Sequence, residues 1–215
     1  MVSKLSLDIK KQIEKGILVL RQGGLVAYPT DTVYGLGACA WIDRAIEKVY
    51  KVKGRSYNMP LPLLLSDISQ ITDVAESVSP IAWSLIHAFL PGALTLVLLK
   101  SGNIPDIVSG GGPTVAVRIP DHPVPIALIE GLGAPIVGTS ANLSGKPSSL
   151  TADEVYSQIG DSIDFIIDGG QCPGGIESTI VDMTSKTPII LREGKIPKEE
   201  LEKVWEVLPS GEEKR

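Results

Sequence analysis

Three groups of residues in this 215-residue chain have types and spacing that could do chemistry. The first is Lys53-Gly54-Arg55, two cations around a glycine. Lysine acts on phosphate as a point charge and arginine as a planar fork. The plainer alternative is a basic helix end, which the helix dipole favours. The second is Gly138-Thr139-Ser140-Ala141-Asn142-Leu143-Ser144-Gly145, where a strand hands over to hydroxyls, an amide and glycine. Such a loop offers N–H groups and hydroxyls to an anion or a ribose; the plainer alternative is a polar turn. The third is Arg118, a cation inside the apolar run Val115 to Pro120. A buried guanidinium is costly without an anion, and Asp31, Asp121 or a substrate could supply it.

Other chemistries are poorly supported. His87 and His122 are the only histidines and Cys39 and Cys172 the only cysteines, and no Cys-x-x-Cys or His-x-x-x-His occurs. No zinc site is expected from that set, and the cysteines read as free thiols of a reducing compartment. His87 lies within an apolar helical pattern and reads as a helix histidine rather than a ligand. The run from Gly138 ends in Asn142 where a hydrolase nucleophile elbow needs glycine. There is no Gly-x-x-x-x-Gly-Lys-[Ser/Thr], and Gly35-x-Gly37 lacks the third glycine of a dinucleotide fingerprint. A net charge of −5 advertises no general affinity for nucleic acid, although a local basic pocket needs only a few cations. No apolar run reaches the ~18 residues of a membrane span, and charges interrupt the N-terminus. A cytoplasmic protein without membrane contact is expected.

The elements that would position these residues centre on Val26-Ala27-Tyr28-Pro29-Thr30-Asp31-Thr32-Val33-Tyr34-Gly35-Leu36-Gly37, an apolar strand that breaks at proline into hydroxyls and a carboxylate. Apolar spacing predicts helices over 8–22, from an N-cap at Asp43 to about Lys53, over 71–75, from Pro80, over 124–130, over 152–159 and from Pro197 to Val207. Strands are predicted at 61–65, 94–99, 115–120, 135–137 and 163–167, with a loop over 101–113. The segments 178–183 and 189–192 suit a hairpin. The mixture lacks strict βαβ alternation, which predicts a single α/β domain with a twisted mixed sheet, parallel and antiparallel, flanked by helices.

Read in order, Pro29–Leu36, Lys53-Gly54-Arg55, Pro91–Thr95, Val115–Pro120, Thr139–Gly145, Ser178–Asp182 and Leu191–Gly194 resemble the YrdC/Sua5 family, the L-threonylcarbamoyladenylate synthases. The resemblance runs from about residue 9 to 200 and implies a YrdC-like domain over 9–200, in the short single-domain form; the terminal position of 209–215 predicts a disordered tail there. It implies ATP-dependent synthesis of L-threonylcarbamoyl-AMP from L-threonine, bicarbonate and ATP, with pyrophosphate released, for t6A modification of tRNA at position 37. Lys53, Arg55, Ser140 and Asn142 match the family's Lys-x-Arg…Ser-x-Asn signature and would be the catalytic set. Lys53, Arg55, Thr114, Ser140, Ala141, Asn142, Ser148 and Arg192 would meet ATP. Thr32, Arg118, Thr139 and Ser178 would meet threonine.

By the same resemblance, Mg2+ would arrive on the triphosphate, with no metal site of the protein's own. The partners implied are tRNA or a downstream threonylcarbamoyl transferase complex, and the protein would be a monomer or homodimer. In one departure, Leu64 stands where many members carry a histidine near the threonine. The competing readings are an RNA-binding module and a YciO-type paralogue of the same fold without this activity.

Overall fold

Ser6 starts the first helix, its hydroxyl accepting from the Ile9 amide at 3.2 Å, and α1 runs over Leu7–Arg21. The computed structural model describes residues 5–205. After Gly23-Gly24 come β1 (Val26–Tyr28), β2 (Gly35–Cys39), α2 (Asp43–Lys53) and β3 (Leu63–Leu64). Next are α3 (Ile71–Val74), α4 (Pro80–Phe89), β4 (Leu94–Leu99), α5 (Asp106–Ser109) and β5 (Thr114–Arg118). The chain continues through α6 (Pro123–Leu132), β6 (Ile136–Ser140), α7 (Ala152–Ile159) and β7 (Phe165–Ile166), and closes with β8 (Thr179–Asp182), β9 (Ile189–Arg192) and α8 (Lys198–Trp205).

One sheet takes these strands in the order β7-β1-β2-β6-β3-β5-β4-β8-β9. The pairs β1–β7, β3–β5 and β4–β8 are parallel and the others antiparallel, which is the mixed sheet expected from the sequence. β8 and β9 form the anticipated antiparallel pair.

Side chains alternate across a strand, so the sheet has two distinct faces. On one, Leu36, Ala38, Leu63, Leu65, Leu96, Val117, Val137 and Val181 join one large core with residues of α2, α4, α7 and α8. On the other, Val26, Tyr28, Leu64 and Ile136 pack with Ile13 and Leu20 of α1 and with Val124 and Leu128 of α6. Those two helices pack on each other over the β1 side of the sheet. Beyond them, this second face presents Arg118, Ala116, Thr95, Val97 and Ile180 to a cavity.

Some boundaries differ from those the sequence predicts. Asp43 lies in the first turn of α2 rather than at its cap; the cap is Ile42, with no side-chain hydrogen bond. The run 61–65 pairs only at Leu63–Leu64, because the prolines at 60 and 62 cannot donate to a ladder. The loop 101–113 holds the one-turn α5, which ends at Gly110 in the left-handed region. Val207 and the tail 209–215 lie outside the described residues. His87 stacks on Trp83 with ring centroids 5.7 Å apart, one turn along α4. Cys39 and Cys172 are free and buried.

Candidate functional site

The cavity on the second face has a volume of about 480 Å3 and is lined by five cations, Lys53, Arg55, Arg118, Lys146 and Arg192, against one carboxylate, Glu177. A chain of net charge −5 thus concentrates positive charge in one concave place. Such focusing attracts an anionic ligand.

Arg118 ends β5 and is buried at one end of the cavity. Its Nη2 donates to Asp31 Oδ1 at 2.6 Å, its Nη1 to Thr32 Oγ1 at 3.2 Å and its Nε to the Gly92 carbonyl at 3.0 Å. Of the anions left open by the sequence, Asp31 is the one that pairs. Burial pulls the Arg118 pKa down and Asp31 opposes that fall. The turn that presents Asp31 is tied by Thr30, whose Oγ1 donates to the Val33 carbonyl at 2.7 Å and accepts from the Thr32 and Val33 amides. With that proton spent, the 3.0 Å bond between the two threonine hydroxyls runs from Thr32 to Thr30. Across the cavity floor Thr95 Oγ1 and Ser178 Oγ share a 2.8 Å bond.

Lys53 ends α2 and is buried, with Nζ 2.6 Å from the Ser140 carbonyl, 2.6 Å from the Asn142 carbonyl and 2.7 Å from Asn142 Oδ1. An ammonium has three protons, so all are engaged on the loop that leaves β6. That loop is also closed by Asn142 Nδ2 on the Lys146 carbonyl at 2.6 Å and by Ser149 Oγ on the Ala141 carbonyl at 2.8 Å. Burial lowers the Lys53 pKa to about 8; Glu177 pushes it back up and Arg55 adds to the fall.

Arg55 follows Gly54, whose φ of 60° ends α2 in the left-handed region. Its Nη2 donates to the Pro60 carbonyl at 2.8 Å, and its buried Nε has no partner among the described residues. Burial, first, and Arg192 lower its pKa. Arg192, on β9, donates to the Ser178 carbonyl through Nε and Nη2 at 3.1 and 2.8 Å, and through Nη1 to Glu177. The other Glu177 oxygen accepts from Ser148 Oγ at 2.9 Å.

The floor is made thin by glycines. The Tyr28 ring lies across β2, and a Cβ on Gly35 or Gly37 would come within 2.8 Å of it. A Cβ on Gly138 would come within 2.7 Å of Leu64. Gly35-x-Gly37 is therefore a seat for an aromatic ring. The Tyr28 hydroxyl is buried without a partner among the described residues, and burial raises its pKa.

No histidine or cysteine is among the described residues lining the cavity. The arrangement can neutralise and align a polyanion beside a small polar group.

The Sua5/YciO/YrdC family model, which bears the description "Telomere recombination", matches residues 18–194. The chain belongs to the Sua5/YciO/YrdC family. The threonylcarbamoyl-AMP synthase of Pyrococcus abyssi is 44% identical over 185 residues, covering 86% of this chain and 54% of that protein. The threonylcarbamoyl-AMP synthase of Bacillus subtilis is 44% identical over 194 residues, covering 90% of this chain and 56% of that protein. The crystal structure of Pyrococcus abyssi Sua5 complexed with L-threonine superposes with a TM-score of 0.89 at 42% identity, over 93% of this chain and 58% of that one. This Sua5/YciO/YrdC chain spans about half the length of these relatives.

Within the Sua5/YciO/YrdC fold, the cavity gathers Thr32, Lys53, Arg55, Arg118, Thr139, Ser140, Asn142, Ser148, Ser178 and Arg192. Two residues expected at the nucleotide are not on its lining. Ala141 is fully buried in the core, and Thr114 shares a face with Ala116 and Arg118 at the far end of β5. Glu177, Lys146, Thr95 and Tyr28 also line the cavity and are not among the residues expected from the sequence. A carboxylate entering an apolar strand beside Ser178 was a usable signal for Glu177; Tyr28 was hidden by looking like core.

Proposed function

We propose that this chain joins L-threonine, bicarbonate and ATP into L-threonylcarbamoyl-AMP with release of pyrophosphate. The observation that carries the reading is one cavity with two unlike ends: a buried Arg118–Asp31 pair with hydroxyls, and a cluster formed by Lys53, Arg55, Lys146 and Arg192. The first suits the carboxylate and hydroxyl of a small amino acid, and the second a triphosphate. Threonylcarbamoyl-AMP synthase is the name of the Pyrococcus and Bacillus relatives, and threonine is the ligand in the Pyrococcus structure.

In this reading the threonine amine takes up bicarbonate, losing water, to give a carbamate. A carbamate oxygen attacks the α-phosphate and pyrophosphate leaves. The protein supplies alignment and charge. Arg118, Thr32, Thr139 and Ser178 hold threonine; Arg55, Arg192, Ser148 and the Ser140–Asn142 loop hold the nucleotide, with Lys53 acting through that loop. Thr114 and Ala141 belong to the shell behind it. Among the described residues no group of three or more His, Cys, Asp or Glu could hold a metal ion. Mg2+ would enter on the phosphates, since it prefers phosphate oxygens with one or two carboxylates, and among the described residues Glu177 is the carboxylate lining the cavity.

No helix among the described residues is long and apolar enough to cross a membrane. A cytoplasmic setting, transfer of the product to a threonylcarbamoyl transferase complex and t6A formation on tRNA complete the proposal. The test is pyrophosphate release from ATP and bicarbonate, with L-threonine, with L-serine and with neither. Release that requires threonine and bicarbonate is expected. No release despite bound ATP would favour a YciO-type paralogue; tRNA binding without ATP binding would favour an RNA-binding module.

A further inference from the structure

Glu177 is an anomaly in a cavity suited to a polyanion. It places a carboxylate among Lys53, Arg55, Lys146 and Arg192, where it repels any phosphate that enters. Its two oxygens take the proton of Ser148 Oγ and one of the Arg192 Nη1 protons. Both donors would suit a phosphate oxygen. Arg192 does not need the carboxylate for its orientation, because Nε and Nη2 already clasp the Ser178 carbonyl at 3.1 and 2.8 Å. The carboxylate can swing away by rotation of its own side chain, which is 32% exposed, while the Glu177 carbonyl stays bonded to the Lys195 amide at 2.9 Å.

We infer that Glu177 is a built-in stand-in for phosphate, a carboxylate that occupies the Ser148 and Arg192 donors when the site is empty, yields them to the triphosphate, and reclaims them as pyrophosphate departs. This rests on the nucleotide reading of the cavity given above. Its consequence is an affinity set deliberately low. An empty cluster of cations would bind pyrophosphate, the leaving product, as well as it binds ATP. An intramolecular anion at the same donors weakens both and leaves those donors occupied again after each turnover. The cost is a weaker grip on ATP, and the gain is release.

The experiment is calorimetric titration of ATP and of pyrophosphate into the wild-type chain, Glu177→Gln and Glu177→Ala, each in EDTA and again in Mg2+. Glutamine keeps the shape and removes the charge; alanine removes the side chain. Both variants are expected to bind ATP and pyrophosphate about tenfold more tightly than wild type, with or without metal, as removal of one like charge near the ligand predicts. Pyrophosphate should also become the stronger product inhibitor by a similar factor. Unchanged or weaker metal-free binding in both variants, with wild type binding ATP, would overturn the inference and leave the nucleotide reading standing. Weakening confined to the Mg2+ titrations would also overturn it, making Glu177 a metal ligand. Absence of ATP binding by wild type and variants alike would remove the nucleotide reading and this inference together. Melting curves for both variants separate any of these results from misfolding.

Discussion

The ammonium of Lys53 lies 2.7 Å from Oδ1 of Asn142 and 2.6 Å from that residue's carbonyl, 89 positions away in the chain. Helix α2 is thereby riveted to the loop that leaves β6. A residue expected to grasp phosphate directly spends its protons on the loop that would do so.

Lys53→Met should therefore cost both turnover and stability. It strands the buried Asn142 carbonyl and leaves the Ser140 carbonyl with only the Asn142 amide, 3.0 Å away, and an unsatisfied buried group costs about 1–3 kcal/mol. Turnover is expected to fall at least 100-fold with a clear drop in Tm, measured by pyrophosphate release and thermal melting. An unchanged Tm would mean the loop stands without its rivet.

The pH dependence follows from the same side chain. Its pKa is lowered to about 8 in the folded chain from 10.5. Between these values the unfolded chain holds a proton that the folded chain has lost, so this group makes the fold more stable as pH rises through that window. Activity should move the other way, falling as pH passes 8 and the loop loses its cation. A pH–rate profile beside melts at the same pH values checks the divergence; parallel loss of both would contradict it.

Arg118→Ala should remove the end of the cavity proposed to hold threonine. It leaves Asp31 buried without its partner, and breaking a buried pair costs about 3–5 kcal/mol. The double variant Arg118→Ala with Asp31→Asn should recover much of the Tm but none of the threonine response. Threonine KM is the readout, and an unchanged value would place threonine elsewhere.

Gly138→Ala should thicken the floor. Its Cβ would meet Leu64 at 2.7 Å, and overpacking of this kind costs about 1–3 kcal/mol. Tyr28→Phe, which removes a hydroxyl lacking a partner among the described residues, should leave Tm unchanged or slightly raised. Melts of both variants test whether the seat is as tight as it looks.

Much of the frame was legible because its signals are local. Ser79 caps a helix, and Gly23-Gly24 and Pro91-Gly92 stop two of them. The mixed sheet followed from strands without regular alternation. Where the prediction slipped, a neighbour in space decided. Leu61 to Leu65 reads as a full strand, yet prolines leave it two paired residues. Arg118 declared its need for an anion, but only the tertiary fold chooses Asp31, 87 residues distant. Lys53 and Asn142 were both visible; that one would hold the other was not, since nothing in linear order reports it. The Tyr28 ring over Gly35 and Gly37 was masked because a tyrosine in an apolar run and a Gly-x-Gly are each commonplace apart.

The position of Arg192 on β9, the last strand at one margin of the sheet, has a consequence for how the site would be lost. β9 has β8 alone as its partner, while β5, which carries Arg118, lies between β3 and β4. Sheet margins open locally at lower free energy than sheet centres. Mild heating or denaturant should free Arg192 first and leave Arg118 in place. Bound nucleotide would then act as a clasp on the sheet margin, slowing amide exchange in 179–192 far more than in 114–118.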